Sequence, residues 1–136
     1  MKMKRKRISE FFHEDEFTCK CGCGQVLVDP VFLEKLTKAR RIAGIPFHIS
    51  SGFRCAAHNE AVGGTAQSGH KVGKAADIRA RTVYDYKRII FAGLVTGMEG
   101  ISLGKGFAHL DSRDREMIRA AIAFTLVTNK AGTRST

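Results

Sequence analysis

Apolar positions recur at helical spacing in two stretches and alternate like strands around them. Asp29 precedes Pro30, and Phe32, Leu36, Ala39 and Ala43 then follow three or four residues apart until Gly44. Asp is a favoured N-cap, Pro fits the first helical position and Gly suits the stop, so this stretch predicts a helix that buries one face. A second helix is predicted from Val83 to Val95, presenting Val83, Tyr86, Ile90 and Leu94 on one side and ending near Gly97. A third, roughly Glu116 to Val127, precedes a polar tail.

Phe47-His48-Ile49-Ser50 alternates like a half-buried strand, and Lys74 to Arg79 returns to strand character. Ile101-Ser102-Leu103 and Phe107 to Asp111 read as two short strands joined by a turn at Gly104 to Gly106. Period-two alternation puts Phe107, His109 and Asp111 on one face of the second. Ser51 to Gly73 holds five glycines and few large apolar residues, so it reads as structured loop. Helices and strands that do not alternate regularly predict an α+β fold, with a small, mostly antiparallel sheet flanked by helices.

A chain of 136 residues has room for one compact core. The expected organisation is a basic tail over residues 1–8, a single domain over 9–128 and a polar tail over 129–136. Hydrophobic residues at 43% with charged residues at 26% speak against wholesale disorder. Charge changes the picture more: Lys and Arg number 23 against 13 acidic residues, a net charge of +10 that favours anionic partners. Five of those positive charges lie in the first seven residues, and such a run is expected to be a solvated tail. Nucleic acid is a poor candidate partner, because the chain has no Trp, two Tyr and no reader motif. No stretch approaches the roughly 18 to 20 apolar residues of a membrane span, and Ile8 to Glu14 is too polar for a signal-peptide core. Synthesis in the cytoplasm without an export signal is therefore expected.

The candidate chemistry sits in the loop and the strands that follow. A catalytic zinc takes three protein ligands from His, Asp, Glu and Cys and keeps a fourth position open. His70 and Asp77 lie seven apart across Gly73, and His109 stands on a strand beside Asp111. Ala75 and Ala76 let the strand between the first two pack closely while its end carries a ligand. Ser-x-His-x-x-Gly-x-Ala-x-Asp over Ser68 to Asp77, followed by Phe-x-His-x-Asp over Phe107 to Asp111, closely resembles the M15 zinc peptidases. That family includes D-alanyl-D-alanine carboxypeptidases, dipeptidases and phage L-alanyl-D-glutamate endolysins. Ser51-Gly52-Phe53-Arg54-Cys55 is similar to the family's Ser-Gly-Tyr-Arg stretch, and Asn59 to Gly64 resembles the loop after it.

The resemblance implies a hedgehog/DD-peptidase-like fold and one Zn²⁺ held by His70, Asp77 and His109. It implies a monomeric peptidase acting on peptidoglycan stem peptides, as a DD-carboxypeptidase or an endolysin-type endopeptidase, that reaches the wall after release, in the phage or prophage manner. Arg54 is expected near the reacting carbonyl or a substrate carboxylate, with a plain surface arginine as its other reading, and Ser68 either to hydrogen-bond substrate or only to shape the turn before His70. Many members place the general base three residues before the last ligand, where this chain has Gly106. Asp111 is the first choice for that role, with orientation of a ligand imidazole as its other reading, and Glu99 is the second candidate. Arg113 and His58 are lesser candidates, for an acidic partner and for loop stability. The alternative function is a non-catalytic zinc-binding module that recognises cell wall. Cys19, Cys21, Cys23 and Cys55 admit three states: a structural Zn²⁺, a disulfide from Cys55 to the Cys19–Cys23 knot, or free thiols under the loop.

Overall fold

The computed structural model describes residues 4–113, so the helix expected over Glu116 to Val127 and the polar tail lie outside the described residues. Helix α1 spans Pro30–Ala43. The Asp29 carboxylate accepts the Phe32 N–H at 2.9 Å, Gly44 ends the helix in the left-handed conformation, and Phe32, Leu36, Ala39 and Ala43 are buried. The expected face and both ends are thus the observed ones.

Between α1 and the next long helix lies a short α2, Ala56–Ala61, capped by the Cys55 sulfur, and then a one-turn 3-10 helix over Gly69–Val72. Both fall inside the stretch expected to be loop. Six residues of Ala, His, Asn and Glu carry no apolar period, which is why the pattern did not reveal α2.

Helix α3 spans Val83–Val95, with Thr82 and Asp85 forming a reciprocal cap at its start. Its buried side differs from the expected one. Ile89, Ala92 and Gly93 face the core and Tyr86 packs against it, whereas Val83 and Leu94 are 70% and 66% exposed. A methyl at Gly93 would stand 2.7 Å from Leu110 Cδ2. The helix approaches the sheet through its smallest residues, a choice that close packing makes and apolar counting overlooks.

Four strands, β1 Ile49–Ser51, β2 Ala75–Arg79, β3 Gly100–Gly104 and β4 Phe107–Asp111, form one antiparallel sheet in the order β1-β2-β4-β3. The fold is α+β. β1 starts two residues later than the expected Phe47–Ser50 strand: Phe47 is anchored in the core, and a register shift separates Ile49 from Ser51. Alternation gives β2 and β4 two distinct faces. Ala76, Ile78, Ala108 and Leu110 join Phe12, Phe17, Phe32, Leu36 and Ile89 in the core. Each large side chain so buried contributes about 1.5–3 kcal/mol. Asp77 and His109 point the other way.

The basic run is partnered from residue 5 onward. Arg5 grips Asp15 through two 2.7 Å hydrogen bonds and Lys6 lies 3.4 Å from Glu14, while the backbone of Arg7 forms an isolated β-bridge with that of His13. These pairs are well exposed and add little stability, but they lay the chain start along the acidic 3-10 turn Glu14–Phe17 and seat Ile8 against the core.

Candidate active site

The outward face of the sheet builds the site. Asp77 of β2 and His109 of β4 are directly opposed, and Ser102 of β3 continues the row. Opposed side chains on one sheet face start roughly 4.5–5.5 Å apart at Cβ, so two candidate ligands are brought together by the ladder itself. His70 arrives from the Gly69–Val72 turn, whose Ser68 cap accepts the His70 N–H at 3.2 Å. His70 Nδ1 lies 2.7 Å from the Gly52 carbonyl. A carbonyl only accepts, so Nδ1 carries a hydrogen, and it is Nε2 that would present a lone pair to a metal. That Nε2 is buried, has no hydrogen-bond partner among the described residues and stands 3.3 Å from Asp77 Oδ1. His109 Nδ1 reaches the same oxygen at 2.8 Å.

The three donor atoms lie within 4.8 Å of one another. Tetrahedral zinc with bonds of about 2.0–2.1 Å separates its N and O donors by roughly 3.3 Å, so the group fits one such ion with little movement. Without an ion, charge balance falls to His109. Burial disfavours its protonation, but the hydrogen bonds it donates to Asp111 and Asp77 prevail and raise its pKa to about 9. Burial likewise opposes ionisation of Asp77, yet His109 and His70 hold its carboxyl well below the usual range. A divalent cation would replace the His109 proton between two groups already shaped to hold positive charge.

The remaining expected residues sort by position. Arg54 places Nη2 3.5 Å from Asp77 Oδ2, opposite the oxygen shared by the imidazoles, and bonds Ser51 Oγ and Asn59 Oδ1 at 3.3 Å each. Arg54, Ser68, His70, Asp77, His109 and Arg113 all line one open cleft of about 290 Å³. Asp111 does not line it. Its carboxylate is 1% exposed, lies behind His109 with Oδ2 2.6 Å from Nε2, and holds Arg113 Nε at 3.3 Å. A side chain at Gly100 would occupy that carboxylate's place, since a Cβ there would stand 2.2 Å from Asp111 Oδ2. Burial opposes its ionisation as well, but His109 and then Arg113 keep the Asp111 pKa low. Glu99 is exposed and ion-paired to Lys35 at 3.3 Å, outside the cleft lining. His58 donates its backbone N–H to Cys55 Sγ.

Sequence reading missed part of the wall. Asn59 is 3% exposed, donates to the Thr65 carbonyl at 2.9 Å and accepts from Arg54, so it braces the guanidinium. Its place in a stretch resembling a family loop was the available signal. Ser102 and Thr65 also line the cleft, beside Phe107, which alternation places on the His109 face; Ser102 was legible as the polar residue between Ile101 and Leu103.

The chain matches no curated protein and no solved structure. A family model described as Peptidase M15 matches residues 10–111, a span that contains the cleft residues from Arg54 to His109, α1, α3 and all four strands. On that match, over most of its length, the chain belongs to the M15 peptidase family.

Proposed function

We propose that the protein is a zinc-dependent peptidase that hydrolyses a peptide bond in peptidoglycan stem peptides, as a DD-carboxypeptidase or an endolysin-type endopeptidase. The observation that carries this reading is the convergence of buried His70 Nε2, which has no hydrogen-bond partner among the described residues, with His109 Nδ1 on Asp77 Oδ1, in the lining of an open cleft. When bound there, Zn²⁺ would polarise a scissile carbonyl and make hydroxide available near neutral pH.

The chain's own residues do the rest. The hydrogen bond to the Gly52 carbonyl fixes the His70 tautomer, and Arg54 on Asp77 Oδ2 leaves Oδ1 free to ligate. The face of Arg54 turned to the cleft offers a planar fork suited to a substrate carboxylate or developing oxyanion. Ser68 Oγ accepts from His70 N–H, so its hydroxyl hydrogen remains for substrate. Asp111 is a positioning residue in this reading: it accepts from His109 Nε2–H, fixing Nδ1 toward the ion, as carboxylates behind ligand imidazoles do. The net charge of +10 suits a substrate polymer rich in anionic groups and predicts activity that falls with salt. The protein would reach that polymer after release from the cytoplasm, in the manner of a phage lysis enzyme.

Digestion of defined muropeptides, with mass spectrometry of the fragments, tests the reading. Chelator-sensitive cleavage at one bond type supports it and names the bond. A zinc-loaded protein that binds muropeptides without cutting them would put the wall-recognition module in its place.

A further inference from the structure

The catalytic reading leaves four cysteines unused. Cys19, Cys21 and Cys23 share a short loop in which Gly22 and Gly24 take positive φ values of 90° and 78°. Those two left-handed residues curl the backbone so that three thiols turn to one side, where Cys55 meets them from the start of α2. Sγ of Cys19 lies 3.4 Å from Cys21 and 3.8 Å from Cys55, and Cys21 lies 3.7 Å from Cys55. All four sulfurs fall within 4.8 Å of one another.

We propose that Cys19, Cys21, Cys23 and Cys55 together hold a second, structural Zn²⁺, with all four thiolates as its ligands. Four thiolates at a Zn–S distance of about 2.3 Å stand roughly 3.8 Å apart at the corners of a tetrahedron. The observed separations already approximate those edges. A disulfide would draw one pair to about 2.0 Å and abandon the other two thiols, a pairwise arrangement unlike this common convergence. Backbone N–H groups support thiolates at three corners: Cys55 N–H points at Cys19 Sγ, His58 N–H at Cys55 Sγ and Gln25 N–H at Cys23 Sγ, each at 3.4 Å. With four protein ligands the coordination is closed, so this ion has no position for a reacting molecule.

The site's place in the fold gives it a purpose. It ties the Cys19–Cys23 loop to the segment carrying Gly52, which orients His70, and Arg54, which contacts Asp77. Phe53 N–H bonds the Phe17 carbonyl at 2.9 Å, and a methyl at Gly52 would strike the Phe17 backbone at 2.7 Å, so the two segments are already in closest approach. An ion bound by the four thiolates locks that contact from one end.

The test uses the full chain carrying His70→Ala and His109→Ala, purified under reducing conditions, which separates this site from the catalytic one. About one zinc per chain is expected, with the four thiols unreactive to a disulfide reagent until a strong chelator is added. Cobalt substituted into the same variant should give intense near-ultraviolet thiolate-to-metal absorption, and Cys21→Ser with Cys23→Ser, both exposed positions, should abolish it. A double-histidine variant that holds no metal and whose thiols react at once overturns the proposal, as does a mass showing a disulfide. Either result leaves the catalytic reading untouched.

Discussion

Asp77 and His109 are held by a sheet ladder and His70 by a turn bonded to Gly52, whereas the four thiols come from a glycine-rich loop and the first turn of α2. The first cluster has three donors of mixed nitrogen and oxygen type and faces a cleft. The second has four sulfurs, none of which lines that cleft. Rigid strands can leave one side of an ion open because the ion is not needed to keep the donors together, while a loop of small residues needs closed coordination to acquire its shape. On the two proposals, placement of the donors would separate an ion that reacts from an ion that holds.

Removing a donor from the open cluster is expected to have the largest effect. His109→Ala or His70→Ala should lower hydrolysis of peptidoglycan by on the order of 10³-fold or more, with loss of the corresponding zinc measured by elemental analysis. Next comes Asp111→Asn, which should weaken zinc binding by about 10–100-fold while excess zinc restores activity. An Asp111→Asn protein that binds zinc normally yet cannot hydrolyse would instead make Asp111 the proton acceptor.

The pH dependence of metal uptake tests the electrostatics of the open cluster. The His109 pKa is raised to about 9 without metal, so over the range below that value an ion must displace a proton. Apparent zinc affinity should then rise about tenfold per pH unit toward pH 9, read by competition with a chromogenic chelator. The same shift stabilises the metal-free fold: a raised histidine pKa contributes fully below its ordinary value and is lost as pH climbs through about 9. Metal-free protein should therefore melt lower at about pH 9.5 than at about pH 6.5, on the two sides of that transition.

Arg54→Lys keeps the charge but loses the planar fork, and kcat/KM should fall about tenfold, near 1.4 kcal/mol, with zinc content little changed. The mildest test compares the two clusters directly. Under a weak chelator, activity should disappear before the thiols become reactive, because the closed site gives up its ion more slowly. The reverse order would break the distinction between the two.

Much of this was legible in the sequence where several signals agreed. For α1, Asp29, Pro30, the apolar period and Gly44 all pointed to the same ends, and the structure reproduces them. His70, Asp77 and His109 stood out because a polar loop feeding a small-residue strand is a poor way to build core. What stayed hidden depended on contacts distant in sequence. α3 buries Ala92 and Gly93 because Leu110 leaves room for nothing larger at the glycine. Alternation places Asp111 on the same face as His109, but the open space over Gly100 lets its carboxylate lie back toward His109 Nε2 instead of into the cleft. The convergence of Cys55 on the knot joins residues 36 apart, and spacing alone left three cysteine states open.

Whether an ion held by His70, Asp77 and His109 performs hydrolysis is decided by a zinc titration of metal-depleted protein on purified peptidoglycan. Soluble cleavage products, stem-peptide fragments or free D-alanine, should be absent without metal, appear as zinc is restored and remain absent in His109→Ala at every zinc concentration. Equal release by the metal-free protein, or by the His109→Ala variant, would contradict hydrolysis by that ion.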